Sequence, residues 1–314
     1  MKSIILIDGN SLMHRSYYGV NKGFIPLYEG KPIGMVYGFA STLLHIIEQF
    51  RPDGLMVTFD TKEKTFRHEM DADYKAHREK APDDFYEQIP YVYTLLEHFC
   101  IPSLDLPGYE SDDIIGTISQ KAAKKEYSVK IFSNDHDFLQ LVSEKIKLIK
   151  FNGGKNLLEY GPEQTFSRYG VSPQQIIDFK ALTGDSSDNY KGIEGIGPKT
   201  ATSLLQKYEH LEGIYEHIHE LKPALRKKFE EQKDYLFHCR ELATIHTSVP
   251  IDFNLSQIFQ LCPETTIDFF EKMKFHSLEN RYRNLIKKFD QNKKKEQNED
   301  TKKSQEEEQM SLFL

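Results

Sequence analysis

Nine carboxylates occupy five short segments between residues 8 and 188. They are Asp8 ending ILID, Asp60 ending LMVTFD, Glu110, Asp112 and Asp113 in GYESDD, Asp135 and Asp137 in FSNDHD, and Asp185 and Asp188 in GDSSDN. Each segment reads as the end of a strand or the start of a helix. Carboxylates gathered at the carboxyl edge of a parallel sheet repel one another unless hard cations sit between them. The pattern therefore predicts a divalent-metal site, in which two ions would clamp the attacking and leaving oxygens of a phosphodiester. A single Asp at a strand end is ordinarily a turn or capping residue, but five such segments in one chain favour the metal reading. Oxygen-only ligands select Mg²⁺ or Mn²⁺ over zinc. His136, alternating with its neighbours along an extended chain, should point away from them and is not expected as a ligand.

Hydrophobic periodicity indicates the elements that must position these groups. Ile4 to Ile7 is a continuous apolar strand, Leu55 to Phe59 follows the Pro52/Gly54 break, and Val129 to Phe132 and Ile146 to Ile149 add two more. Val36, Phe39, Leu43, Ile46, Ile47 and Phe50 fall at helical spacing. Ile114, Ile115, Ile118 and Ala122 mark a helix that starts after Ser111, with Asp112 and Asp113 in its first turn. Strand, helix, strand, long insertion, helix, strand is the order of a doubly wound α/β sheet, in which ligands bind beyond the carboxyl ends of the strands. From about residue 165 the texture changes to short helices. After Lys288 a mixed-charge run, DQNKKKEQNEDTKKSQEEE, reads as a disordered tail.

The chain has 314 residues, 28% charged and 39% hydrophobic, as expected of a soluble globular protein. A net charge of -7 does not argue against a nucleic-acid partner, because the nine suspected ligands exceed that deficit and bound divalent ions would offset part of it. The apolar stretch in MKSIILIDGN is too short for a signal segment, and no run approaches a membrane span, so a cytoplasmic protein is expected. Cys100, Cys239 and Cys262 show no metal-ligand spacing and are expected as buried thiols in a reducing compartment.

Two further constellations bear on binding. The insertion at 61–98 carries Lys62, Lys64, Phe66, Arg67, Tyr74, Lys75, Arg78 and Lys80. On charge it reads as a solvated helical hairpin, yet beside the active edge its basic side chains can track a single strand while Tyr74 stacks on a base. In GIEGIGPKTA, Gly192, Gly195 and Gly197 precede Pro198, Lys199 and Thr200. Closely spaced glycines before a helical first turn let backbone N–H groups approach a phosphate. A P-loop fails because Pro198 separates Gly197 from Lys199, and a glycine-rich helix C-cap is the ordinary alternative.

Taken in order, IDGN, FD, FRHE, YKAHR, GYESDD, NDHD, TGDSSDN and GIEGIGPKTA resemble the 5′ nuclease domain of bacterial DNA polymerase I and the stand-alone bacterial and phage flap endonucleases, over about residues 3 to 288. The resemblance implies a PIN-like, resolvase-like, mostly parallel α/β sheet over 1–164 with a helical arch at about 61–98. An all-helical, helix-hairpin-helix duplex-binding domain would follow over 165–289, and then the tail, 290–314. It implies Asp8, Asp60, Glu110 and Asp112 around one metal region and Asp135, Asp137 and Asp188 around the other, with Asp113 and Asp185 near or acting through water. Lys75 and Arg78 would grip the scissile phosphate and Tyr74 would stack beside it. Arg67 and the hairpin residues Gly192, Gly195, Gly197, Lys199 and Thr200 would contact DNA without reading sequence, and the hairpin would take a K⁺ ion. Tyr190 and Lys191 stand where relatives often carry an aliphatic residue and Pro.

The activity so implied is Mg²⁺-dependent 5′-3′ exonuclease and flap endonuclease cleavage in primer removal and repair, by a monomer acting on DNA with 5′ ends, flaps, nicks or RNA primers. Mn²⁺ would substitute. The terminal QMSLF, with Gln309, Ser311, Leu312 and Phe313, is similar to the peptide by which bacterial replication proteins dock on the sliding clamp, and a flexible tether suits that mode. A metal-dependent ribonuclease and a non-enzymatic junction binder are the rival readings.

Overall fold

The apolar runs become the inner strands of a six-stranded sheet. The computed structural model describes residues 1–19, 26–154, 156–253, 261–289 and 291. In chain order the first elements are β1 (Ser3–Asp8), α1 (Gly9–Gly19), β2 (Leu27–Tyr28), β3 (Lys31–Pro32), α2 (Gly34–Phe50), β4 (Gly54–Thr58), α3 (Phe66–Met70), α4 (Asp83–His98), β5 (Ser103–Leu104), α5 (Ser111–Lys124), β6 (Ser128–Phe132), β7 (Ile146–Phe151) and β8 (Leu157–Tyr160). Then come α6 (Pro162–Tyr169), α7 (Ile176–Thr183), α8 (Pro198–Tyr208), α9 (Leu211–Glu216), α10 (Pro223–Glu231), α11 (Lys233–Ala243) and α12 (Pro263–Lys272). Residues 276–289 are helical again.

The sheet order is β5-β4-β1-β6-β7-β8, parallel except for the antiparallel edge strand β8, while β2 and β3 form a separate hairpin. Asp8 is level with Thr58 across β1–β4, and Ile7 with Phe132 across β1–β6. These registers align three strand ends, so Asp8, Asp60 and the segment after Phe132 emerge at one edge. Helices cover both faces, which is why β1 and β4 are apolar runs without alternation. Gly9 lets α1 turn off the end of β1: a Cβ there would lie 2.3 Å from the Phe59 ring and 2.7 Å from the Thr58 carbonyl oxygen.

Two expectations need correction. The segment from 261 to 289, assigned above to the helical domain, packs on the α/β domain. Its Phe269, Phe270, Met273, Phe275, Leu278, Tyr282 and Leu285 join Phe39, Leu43, Val92 and Phe99 of α2 and α4 in one buried cluster. The Arg281 Nε donates to Glu48 Oε1 at 2.9 Å. That return also brings Cys262 against Cys100 as a disulfide with Cα atoms 5.9 Å apart, which leaves Cys239 as a buried free thiol. Sequence spacing could not reveal this pair because 162 residues separate its members. Among the described residues no helix is long and apolar enough to cross a membrane.

Candidate metal centre

The first group of carboxylates is built by β1, β4 and the start of α5. Asp8 is 7% exposed; it accepts from the Ser11 backbone N–H at 3.0 Å and the Ser133 hydroxyl at 2.7 Å. Asp60 accepts from the Asn10 side-chain amide at 3.0 Å and the Ser111 N–H at 2.8 Å. Glu110 is the N-cap of α5, and Asp112 stands in its first turn. Asp8, Asp60 and Asp112 line a cavity of about 510 Å³ together with Lys75, Arg78 and Asp135. Burial, reinforced by Asp60 and Asp135, pushes the Asp8 carboxyl up to about 7 despite its hydrogen bonds. Burial likewise raises Asp60 and Asp112, with Asp135 and Asp8 adding to the rise at Asp112. Such a set favours any added cation.

The second group joins the sheet to the helical region. Asp135 and Asp137 follow β6, and Asp185 and Asp188 lie in the loop between α7 and α8. Oxygens of Asp137, Asp185 and Asp188 lie within 4.8 Å of one another. An adjoining cavity of about 530 Å³ is lined by Asp135, Asp137, Asp185, His136, Tyr169 and Arg78, so the two cavities share Asp135 and Arg78. Lys180 of α7 points into this group, in contact with Asp137 and 2.6 Å from Asp185. Burial pushes both Asp135 and Asp185 up, but Lys180 together with hydrogen bonds from Asp137 and Ser187 outweighs it, leaving Asp135 lowered and Asp185 at about 2. Asp185 and Tyr190 bond reciprocally through their backbones at 3.0 and 3.1 Å, closing the loop. The Tyr190 ring is buried at 4% exposure, and its hydroxyl has no hydrogen-bond partner.

Residues 66–78 fold across both groups. The Lys75 N–H donates to the Asp188 carbonyl at 3.1 Å, its ammonium lies 3.0 Å from both Glu110 oxygens, and Arg78 pairs with Asp188 at 2.8 Å. Three expected roles change here. Arg67 is 2% exposed, and its guanidinium binds both Asp113 oxygens at 2.8 Å, Glu110 at 3.2 Å and the carbonyls of Leu242 and Thr244. It therefore braces the site from within and does not reach DNA. Asp113, fully buried, also accepts from the Glu110 and His246 N–H groups, which leaves its lone pairs engaged and removes it from the ligand set. Tyr74 is 3% exposed and donates toward Glu110 and Asp188 at 3.2 and 3.3 Å, so its ring is not available for stacking on a base.

In the glycine hairpin, Gly195 takes φ +84° and Gly197 caps α8, with Pro198 as the first helical residue and Lys199 and Thr200 exposed in the first turn. Gly192 serves packing: a Cβ there would lie 2.1 Å from the Leu182 carbonyl oxygen, against α7. His136 turns to the Tyr169 hydroxyl. Gln309, Ser311, Leu312 and Phe313 lie outside the described residues. Sequence reasoning missed Lys180 and the Arg67–Asp113 pair. The signal for Lys180 was a cation inside the largely apolar run IIDFKALT, five residues before Asp185.

The donor set is oxygen-only, three of its carboxylates converge within coordination reach of a common point, and the buried Tyr190 hydroxyl beside it has no protein partner. Those features fit a hard divalent ion. A resolvase-like sheet that gathers such ligands at its carboxyl edge, followed by a helical hairpin domain, defines the class of metal-dependent nucleases. The chain belongs to the 5′-3′ exonuclease family: residues 3–170 match its N-terminal resolvase-like domain and residues 171–266 its C-terminal SAM fold.

Among curated relatives, DNA polymerase I of Bacillus subtilis (strain 168) is 39% identical over 88% of this chain and 32% of its own. The thermostable DNA polymerase I of Thermus aquaticus is 35% identical, also over 88% of this chain and 32% of its own. The chain thus spans about a third of the length of the relatives it matches. Among solved structures, T5 5′-exonuclease with bound zinc ions aligns with TM-score 0.66 at 19% identity, covering 91% of this chain and 99% of that one. The catalytic core of Rad2 in complex with DNA substrate aligns with TM-score 0.56 at 14% identity, covering 87% of each. At these identities the likeness is one of fold.

Proposed function

We propose that this chain is a structure-specific 5′ nuclease, a 5′-3′ exonuclease and flap endonuclease that hydrolyses phosphodiester bonds of DNA by a two-metal mechanism. The observation that carries this reading is that six carboxylates from five segments line two adjoining cavities sharing Asp135 and Arg78. Two Mg²⁺ ions, replaceable by Mn²⁺, would be held by Asp8, Asp60, Glu110 and Asp112 on one side and Asp135, Asp137, Asp185 and Asp188 on the other. Such ions supply Lewis-acid stabilisation of the attacking and leaving oxygens.

The chain's own groups do the rest. Ser11, Ser133, Asn10 and Ser111 orient Asp8 and Asp60, while Tyr74 and Arg67 hold Glu110. Lys75 and Arg78 offer positive charge to the phosphate, exchanging Glu110 and Asp188 for it. The exposed start of α8, with Gly195, Gly197, Lys199 and Thr200, suits the backbone phosphates of duplex, with K⁺ as its monovalent ion. The DNA held in the Rad2 complexes, which share this fold, supports DNA as substrate. Removal of primers and flaps by a monomer in the cytoplasm, at the nucleoid, with the 309–313 peptide docking on the sliding clamp, completes the reading.

Cleavage of a labelled 5′-flap duplex with Mg²⁺, against EDTA and an Asp135→Ala chain, tests it. Junction cutting that needs both metal and Asp135, and leaves 5′ phosphate ends, is expected. A folded protein that cuts nothing with Mg²⁺ or Mn²⁺ would sink the enzyme reading, and preference for single-stranded RNA would favour the ribonuclease.

A further inference from the structure

Beyond the carboxylates, on the side of Asp135 remote from Asp8, the β7 end and α6 bring together cations that the mechanism above does not use. Lys150 is half-buried at the carboxyl end of β7. Arg168, near the end of α6, donates to the Tyr160 hydroxyl at 2.9 Å, and its guanidinium lies 5.8 and 5.6 Å from the centres of the Tyr160 and Tyr169 rings. Tyr169 in turn bonds His136, which is next to Asp135 and lines the second cavity. Neither Lys150 nor Arg168 has an ion-pair partner among the described residues, whereas Lys130 of β6 and Lys145 and Lys147 at the amino end of β7 all do. Leu148 stands opposite Tyr160 across β7–β8, which puts Lys150, two residues on, on the same face of the sheet as Tyr160 and its partner Arg168. Burial, and then Arg168, push the Lys150 ammonium down to about 8, with Asp135 opposing the shift.

We propose that Lys150, Arg168 and the Tyr160/Tyr169 rings form a phosphate-binding corner that holds one phosphate of the nucleic acid beside the Asp135 side of the active site. The inference rests on the nuclease reading and deepens it. An anion there would relieve the repulsion between the two cations, and a guanidinium already oriented by a tyrosine hydroxyl loses little freedom on binding. The same chemistry could come from an internal phosphodiester of the strand or from a terminal 5′-phosphomonoester.

Steady-state cleavage of a 5′-flap duplex by Lys150→Gln, Arg168→Gln and the double variant, across KCl concentration, tests the corner. The double variant is expected to raise KM about tenfold with kcat within about twofold, and to flatten the dependence of log kcat/KM on log salt by about one. Lys150→Arg should retain most of the affinity. Substrates ending in a 5′-phosphate or a 5′-hydroxyl, and substrates with single neutral methylphosphonates, tell the two sources apart. The position whose neutralisation weakens the wild type but not the double variant marks the phosphate. Unchanged KM and salt slope in a folded double variant would overturn the corner, as would a loss confined to kcat. If the wild type cuts no nucleic acid, the nuclease reading fails first and separately.

Discussion

The two carboxylate groups solve the same electrostatic problem differently. Asp8 and Asp112, on the sheet edge and the α5 start, make no ion pair among the described residues; their surroundings push their protons on and leave them in need of a cation. Across the shared Asp135, the group that reaches into the helical region has a cation, Lys180, inserted between Asp137 and Asp185, whereas Lys75 in the first group pairs with Glu110 and not with Asp8 or Asp112. The edge of a sheet is fixed by its registers and can hold repelling groups in place. A loop such as 184–190 is held instead by the Asp185–Tyr190 bridge, the Lys75 N–H on the Asp188 carbonyl and side-chain pairs. The internal ammonium lies between two of the group's repelling carboxylates.

The largest effect should come from the residue both groups share. Asp135→Ala is expected to lower flap cleavage on the order of a thousandfold or more. A loss under tenfold would mean that the two cavities work independently, and the comparison would break. Next in size is the brace behind the first group. Arg67→Ala leaves Asp113 buried without its guanidinium and should cost about 3–5 kcal/mol, read by denaturant unfolding. Arg78→Ala removes a half-exposed partner of Asp188 and should cost under about 1 kcal/mol of stability, its main effect falling on cleavage.

How much of this was legible in the sequence follows the range of the forces involved. Strands β1, β4, β6 and β7 and helices α2 and α5 were readable because burial on both faces, or on one helical face, writes a local period. The carboxylates were readable because a strand end is also a local signal. Arg67, Tyr74 and Asp113 were misjudged because their partners lie 36 to 177 residues away, and nothing in FRHE or DYKAHR distinguishes an inward basic residue from an outward one. The return of 261–289 onto α2 and α4, and with it the Cys100–Cys262 pair, was hidden for the same reason. Its apolar spacing shows that a face is buried without showing against what.

Asp8 and Asp185 should also respond oppositely to pH in metal-free protein, although burial holds Asp137 of the second group well above the usual carboxylate range. Asp8 titrates near 7 in the folded chain and near 4 when unfolded, so rising pH ionises the unfolded state first. Folding loses stability from Asp8 between about pH 4 and 7. Asp185 is held at about 2; its contribution is present above pH 4 and fades as pH falls toward 2. Thermal unfolding in EDTA from pH 5 to 8 should show a decline that Asp8→Asn makes shallower, Asp60 and Asp112 keeping their share of it, and that Asp185→Asn leaves in place. A wild-type curve that is flat over this interval would show that the first group is not under the strain inferred for it.

The smallest expected effect asks whether Lys180 is the whole of the second group's internal compensation. Tyr190 lies within the fields of Lys180, Asp137, Asp185 and Asp188, and burial raises its hydroxyl far above the ordinary phenol range. An unpartnered buried hydroxyl is a cost to the fold, so Tyr190→Phe should leave metal-free stability unchanged or raise it by under about 1 kcal/mol. A loss of about 1–2 kcal/mol instead would mean that the hydroxyl is engaged by an ordered water among the carboxylates. In that case the loop group would be held by a hydrated network as well as by the ammonium, and the contrast with the sheet-edge group would narrow to one of degree.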